Sequence, residues 1–99
     1  MELEQLRVFL AVAECGSFTE AAKRLVVSRS TTSRAVAALE RELDAALLRP
    51  QGRSVALTPA GEVLAERAGA LLRQAEALAA AVHDAGAGHR SVGQNLTNT

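Results

Sequence analysis

Tryptophan and tyrosine are absent from this chain of 99 residues, and only Phe9 and Phe18 are aromatic. The core must therefore be assembled from Leu, Val and Ala, which favours a thin, helical interior. Cys15 is the single cysteine, so neither a disulfide framework nor a cysteine-based zinc set can form. His83 and His89 stand apart from any second ligand, and no metal or cofactor is expected. No uncharged apolar run of about 18 residues exists, which excludes a helical membrane span. The opening "MELEQLR" carries acids where a secretory leader carries cations, and the expectation is a cytoplasmic protein. Nucleophile motifs, paired acid–base residues and phosphate-cradling glycine loops are also missing, so an enzyme is not expected.

What is present is unevenly distributed. Eleven Lys and Arg balance eleven Asp and Glu, but Lys23, Arg24, Arg29 and Arg34 fall between positions 17 and 34 with only Glu20 against them. A locally basic face on a neutral body is compatible with a polyanionic partner.

The apolar series Leu3, Leu6, Phe9/Leu10, Ala13 has helical spacing, and Gly16 supplies a stop. "SFTE" then reads as a capping box, with Ser17 as cap and Glu20 reaching back. The second helix is short and buries Phe18, Ala21, Ala22 and Leu25. "VV" breaks the period, and Ser28 caps a third helix. On that helix Thr32, Val36, Leu39 and Leu43 share one side, while Ser30, Ser33, Arg34, Ala37 and Arg41 share the other. Two helices joined by a short turn, with paired alanines allowing close packing, form a helix-turn-helix pattern.

The period then changes. "LLRPQGRSVAL" predicts a β-hairpin with strands near Ala46–Arg49 and Ser54–Leu57, its turn built on Pro50 and Gly52. Thr58 and Pro59 open a last helix running to about His83. Its series Leu64, Ala68, Leu71, Ala75, Leu78, Val82 alternates steps of four and three, a heptad seam suited to a partner helix or to the protein's own domain. From Ala85 the Gly- and Asn-rich remainder predicts a disordered tail. The expected units are 1–58, 59–84 and 85–99.

The start of the third helix carries the chemistry. "SRSTTSR" places short hydroxyls and forked cations around exposed backbone N–H groups. Arg34, on the outer face, suits a bidentate contact to a guanine edge, while Arg29 points sideways toward a phosphate or an edge base. Ser17 and Thr19 could meet a phosphate at the other helix start. Arg53 at the hairpin tip could enter a minor groove or lie along the backbone. Ser28 caps its helix with or without DNA. Arg41 lies between Glu40 and Glu42 and reads as a solvated charge.

These residues resemble the DNA-binding domain of LysR-type transcriptional regulators. The carriers are "LRVFLAVAECGSFTEAAKRLVVSRSTTSRAVAALERELDAALLRP" and "GRSVALTPAGE", and the resemblance covers about Leu3 to Leu78. It implies a mainly α fold: a winged helix-turn-helix followed by a linker helix pairing antiparallel with its two-fold mate. It also implies major-groove reading by Arg29, Ser30, Thr31, Ser33 and Arg34, with Arg53 on the wing. The chain departs from the family's Gln-Pro at Arg29-Ser30. Further departures are Thr32 for an apolar residue, Asp44 for Gly, Leu48 for Phe and Pro50 for Arg. Full members continue into an effector domain, whereas this sequence stops at Thr99.

The expected function is sequence-specific binding of double-stranded DNA by a homodimer regulating transcription from an inverted repeat. RNA polymerase or another regulator is a conceivable further partner. The alternative is a short interaction module that heterodimerises with a full-length regulator and antagonises it.

Overall fold

Helix α1 (Leu3–Cys15) ends because Gly16 turns left-handed, with φ 66°, and sends its N–H to the Val12 carbonyl. Ser17 then caps α2 (Phe18–Leu25), its hydroxyl accepting from the Glu20 N–H at 3.1 Å. The Glu20 carboxylate turns to the Lys23 ammonium at 3.4 Å. Ser28 caps α3 (Arg29–Leu43) by accepting from the Thr31 N–H at 3.1 Å. Strands β1 (Leu48–Gln51) and β2 (Ser54–Leu57) form an antiparallel hairpin, and α4 (Pro59–Gly93) follows. This computed structural model describes the backbone of residues 1–93 and the side chains of residues 1–87.

The core is centred on α1, which packs against α2, α3 and α4. Leu6, Phe9 and Val12 are fully enclosed, and Val8 and Ala11 are buried too. One apolar face was expected, yet this helix is covered on several, while Leu3 remains 39% exposed. Val36 and Leu39 enter from α3, Ala21 from α2, Leu47 from the approach to β1, and Ala68 and Leu72 from α4. Each large side chain among them contributes about 1.5–3 kcal/mol by leaving water. Leu43, read as part of the buried stripe of α3, is 38% exposed at the helix end.

The hairpin begins later than the sequence suggests. Strand β1 starts at Leu48 because the preceding residues are bonded elsewhere. The Leu47 N–H goes to the Glu40 carboxylate at 2.9 Å, and the Leu47 carbonyl accepts from the Thr58 N–H at 3.0 Å. Pairing runs from Leu48 opposite Leu57 to Gln51 opposite Ser54. The turn is therefore Gly52–Arg53, with φ 61° at Gly52, and Pro50 lies within the strand opposite Val55. The Val55 N–H reaches the Gly16 carbonyl at 3.0 Å and ties the wing to the end of α1.

Entry into α4 is equally constrained. The Thr58 hydroxyl accepts from the Gly61 N–H at 3.0 Å and donates to the Ala46 carbonyl. A Cβ on Gly61 would lie 2.0 Å from the Leu47 carbonyl oxygen, so only glycine lets α4 rest on this segment. The helix spans 35 residues, about 52 Å at about 1.5 Å per residue. It continues ten residues past His83, where it was expected to stop, and occupies much of the segment read as a disordered tail. Glycines at 86 and 88 weaken a helix by about 1 kcal/mol each but do not break it, and no proline follows Pro59. Residues 94–99 of that expected tail lie outside the described residues.

Two substitutions probe these constraints. Gly61→Ala forces α4 off the Leu47 carbonyl and should cost about 1–3 kcal/mol in chemical denaturation. Val26, the C-cap of α2, holds φ 59° while 88% exposed, a conformation costly for a β-branched residue and with no burial to lose. Val26→Asn should raise stability by about 1 kcal/mol, read as a higher denaturation midpoint at unchanged slope.

Candidate nucleic-acid interface

Two helix starts meet on one side of the molecule. Phe18 opens α2 and Arg29 opens α3, and the Arg29 guanidinium carbon lies 5.4 Å from the centroid of the Phe18 ring. Lys23, Val26, Val27 and Thr19 border the shallow cleft between them.

Within the first turn of α3 the hydroxyls are linked. Ser28 Oγ lies 3.1 Å from Ser30 Oγ and 2.8 Å from Thr31 Oγ1, and Arg34 donates weakly to Thr31 Oγ1 at 3.5 Å. Ser28, Arg29, Ser30 and Arg34 are exposed, while Thr31 and Ser33 are half-buried. Thr32 faces the opposite way and is fully buried, its hydroxyl donating to the Arg29 carbonyl at 2.6 Å. That bond resolves the departure at Thr32, since a polar residue occupies an apolar site by bonding back to its own helix.

Ion pairing divides the cations into two groups. Arg24 is tied to Glu14 at 2.6 Å, Lys23 to Glu20 at 3.4 Å, and Arg7 to Glu4 at 3.4 Å. Among the described residues no carboxylate lies within pairing distance of Arg29, Arg34 or Arg53. Arg41, Arg49, Arg67 and Arg73 are likewise without an acid, so what sets Arg29, Arg34 and Arg53 apart is their place at the start and outer face of α3 and at the hairpin tip. Arg53 occupies the tip of the hairpin and is exposed. Ser17 serves as a cap, and Thr19 beside it is exposed.

The heptad seam is divided by the fold. Ala68 is 2% exposed in the protein's own core, with Leu64 packed against that core. Leu72, absent from the seam as read, is a second buried α4 contact at 8% exposed. Leu71, Leu78 and Val82 stand 45%, 67% and 64% exposed, and Ala75 is half-buried. At about 100° per residue these outward residues share a face roughly 80° around the helix from Ala68 and Leu72.

Three features escaped the sequence reading. The Phe18–Arg29 contact joins residues eleven apart through tertiary structure, and no periodicity announces it. The Glu40 bond to the Leu47 N–H has no local signature. Val26 carried a signal, because two valines interrupting a helical period mark a place where the backbone must turn.

The family model for "Bacterial regulatory helix-turn-helix protein, lysR family" matches residues 3–62. An uncharacterized HTH-type transcriptional regulator of Azotobacter vinelandii is 47% identical over 68 residues, covering 69% of this chain and 47% of that protein. A probable nitrogen assimilation transcriptional activator of Synechococcus elongatus is 55% identical over 67 residues, covering 68% of this chain and 21% of its own. The chain thus spans about half or less of the length of these curated relatives. Among solved structures, a CbnR_DBD–DNA complex aligns with TM-score 0.83 at 40% identity, covering 87% of this chain and 99% of that one. A BenM_DBD complex with catB site 1 DNA aligns with TM-score 0.85 at 37% identity, covering 90% and 99%. The relatives are named as regulators and activators rather than enzymes. With its family model matched from α1 into the start of α4, the chain belongs to the LysR family of bacterial regulatory helix-turn-helix proteins.

Proposed function

We propose that this chain binds double-stranded DNA sequence-specifically as a homodimer and regulates transcription from an inverted-repeat operator. The observation that carries the reading is the start of α3, where linked hydroxyls and unneutralised arginines project from an exposed helix end. Short Ser and Thr side chains add donors without holding the helix away from a groove. Arg34 on the outer face reads a base edge, while Arg53 on the wing, Ser17 and Thr19 meet the backbone. Two similar structures are complexes with DNA, which supports DNA as the partner. Acting on bacterial DNA places the protein in the cytoplasm. No described helix is long and apolar enough to cross a membrane.

The homodimer reading rests on α4. Leu71, Leu78 and Val82 form an apolar strip on a helix that extends well past its own domain, and solvent is a costly environment for it. Pairing with a second copy about a two-fold axis buries the strip, with Ala75 allowing close approach, while Leu64 and Ala68 serve the domain itself. The two α3 helices then enter successive major grooves about 34 Å apart.

Purified protein should retard its own upstream DNA, with affinity falling by about 100-fold or more as salt rises from about 50 to about 200 mM. Absence of a shift from a folded dimer would favour an antagonist of a full-length regulator instead. Arg34→Ala should cost about 1–3 kcal/mol on the preferred site while leaving binding to unrelated DNA nearly unchanged. Leu71→Asp should convert the dimer to a monomer in sedimentation, and a persistent compact dimer would show that α4 is not the interface.

A further inference from the structure

Arg29 occupies a costly position. It is the first residue of α3, where the helix dipole disfavours a cation by about 0.3–1 kcal/mol, and no acid stands in that turn. Among the described residues no carboxylate pairs with it. An exposed arginine so placed would ordinarily sample many rotamers in solvent. Instead its guanidinium carbon lies 5.4 Å from the Phe18 ring centroid, within the range of about 6 Å over which an aromatic face attracts a cation. The ring is itself anchored, half-buried and packed against the hydrophobic core. Helix α2 therefore presents a fixed negative face to a side chain borne by α3.

We propose that Phe18 is a positioning residue that holds the Arg29 guanidinium across the α2–α3 cleft, ordered before DNA arrives. This rests on the DNA-binding reading above and assigns Phe18 a role beyond the core. Ordering in the free protein removes rotamer entropy that binding would otherwise have to overcome. Arg29 also borders the cleft lined by Thr19 and Ser28, at the edge of the recognition surface, a place that suits a backbone phosphate.

A double-mutant cycle on the intact protein tests the assignment, using as probe the upstream DNA fragment that the wild type retards. Phe18→Leu should weaken binding about 2- to 5-fold, the size of an exposed cation–aromatic contact. It should also reduce the slope of log affinity against log salt by up to about one. In an Arg29→Gln background Phe18→Leu should produce no further loss, and Phe18→Tyr, which keeps the ring, should bind as the wild type does. Equal losses from Phe18→Leu in both backgrounds would overturn the proposal and leave only a packing role. A DNA-free measurement separates this failure from failure of DNA binding itself. In NMR spectra the Arg29 side-chain resonances should be ring-shifted in the wild type and in Phe18→Tyr, and unshifted in Phe18→Leu. Unshifted Arg29 resonances in folded wild-type protein would overturn the proposal whether or not DNA binds.

Discussion

Enclosure of α1 is the constraint on which the rest of the molecule depends. With Leu6, Phe9 and Val12 fully buried among α2, α3 and α4, this helix cannot shift without opening the interior on several sides. Both α3 and α4 pack on it, so that the direction of the long helix and the orientation of the outer face of α3 are not independent. Two smaller fastenings complete the frame. Glu40 holds the segment entering β1, and Gly61 lets α4 sit directly on the Leu47 carbonyl. A small protein with two aromatic residues achieves rigidity by directing its apolar side chains to one shared helix and its backbone bonds to the junctions.

Against that economy, the exposed start of α3 is poorly arranged for stability. Arg29 opposes the helix dipole, and Val26 just before it holds a left-handed backbone conformation that costs about 1–3 kcal/mol. Among the described residues Arg29, Arg34 and Arg53 stand without an acid, whereas Arg7, Lys23 and Arg24 have each found one. Surface ion pairs are individually worth little, so their absence at Arg29, Arg34 and Arg53 costs the fold almost nothing. It does leave positive charge at the start of α3 and the hairpin tip available to a partner.

Much of this was legible in the sequence because it is local. Gly16, Ser17, Ser28, Thr58 and Pro59 act within a turn or two of themselves, and the helix starts and stops they mark are where the structure has them. The apolar stripe of α3 was readable through Thr32, Val36 and Leu39 but failed at Leu43, where the helix has run past the body it packs on. The extra burial of α1 was not legible, because periodicity reports one face and α1 is covered on several. The start of β1 was misplaced because Glu40 and Thr58, distant in sequence, bond residues 46 and 47. In α4 the four-and-three alternation was real, but it could not distinguish Ala68, turned inward, from Leu71, turned outward. The length of α4 was not legible, because the Gly- and Asn-rich remainder from Ala85 has no period, yet the helix runs on to Gly93.

The central claim is that two copies, joined through α4, offer two α3 tips to one face of a duplex. Hydroxyl-radical footprinting of the wild-type protein on its upstream fragment addresses it most directly. The expected result is two protected segments, symmetry-related, with centres separated by about one helical turn or a multiple of it. A single protected segment at saturating protein would contradict it.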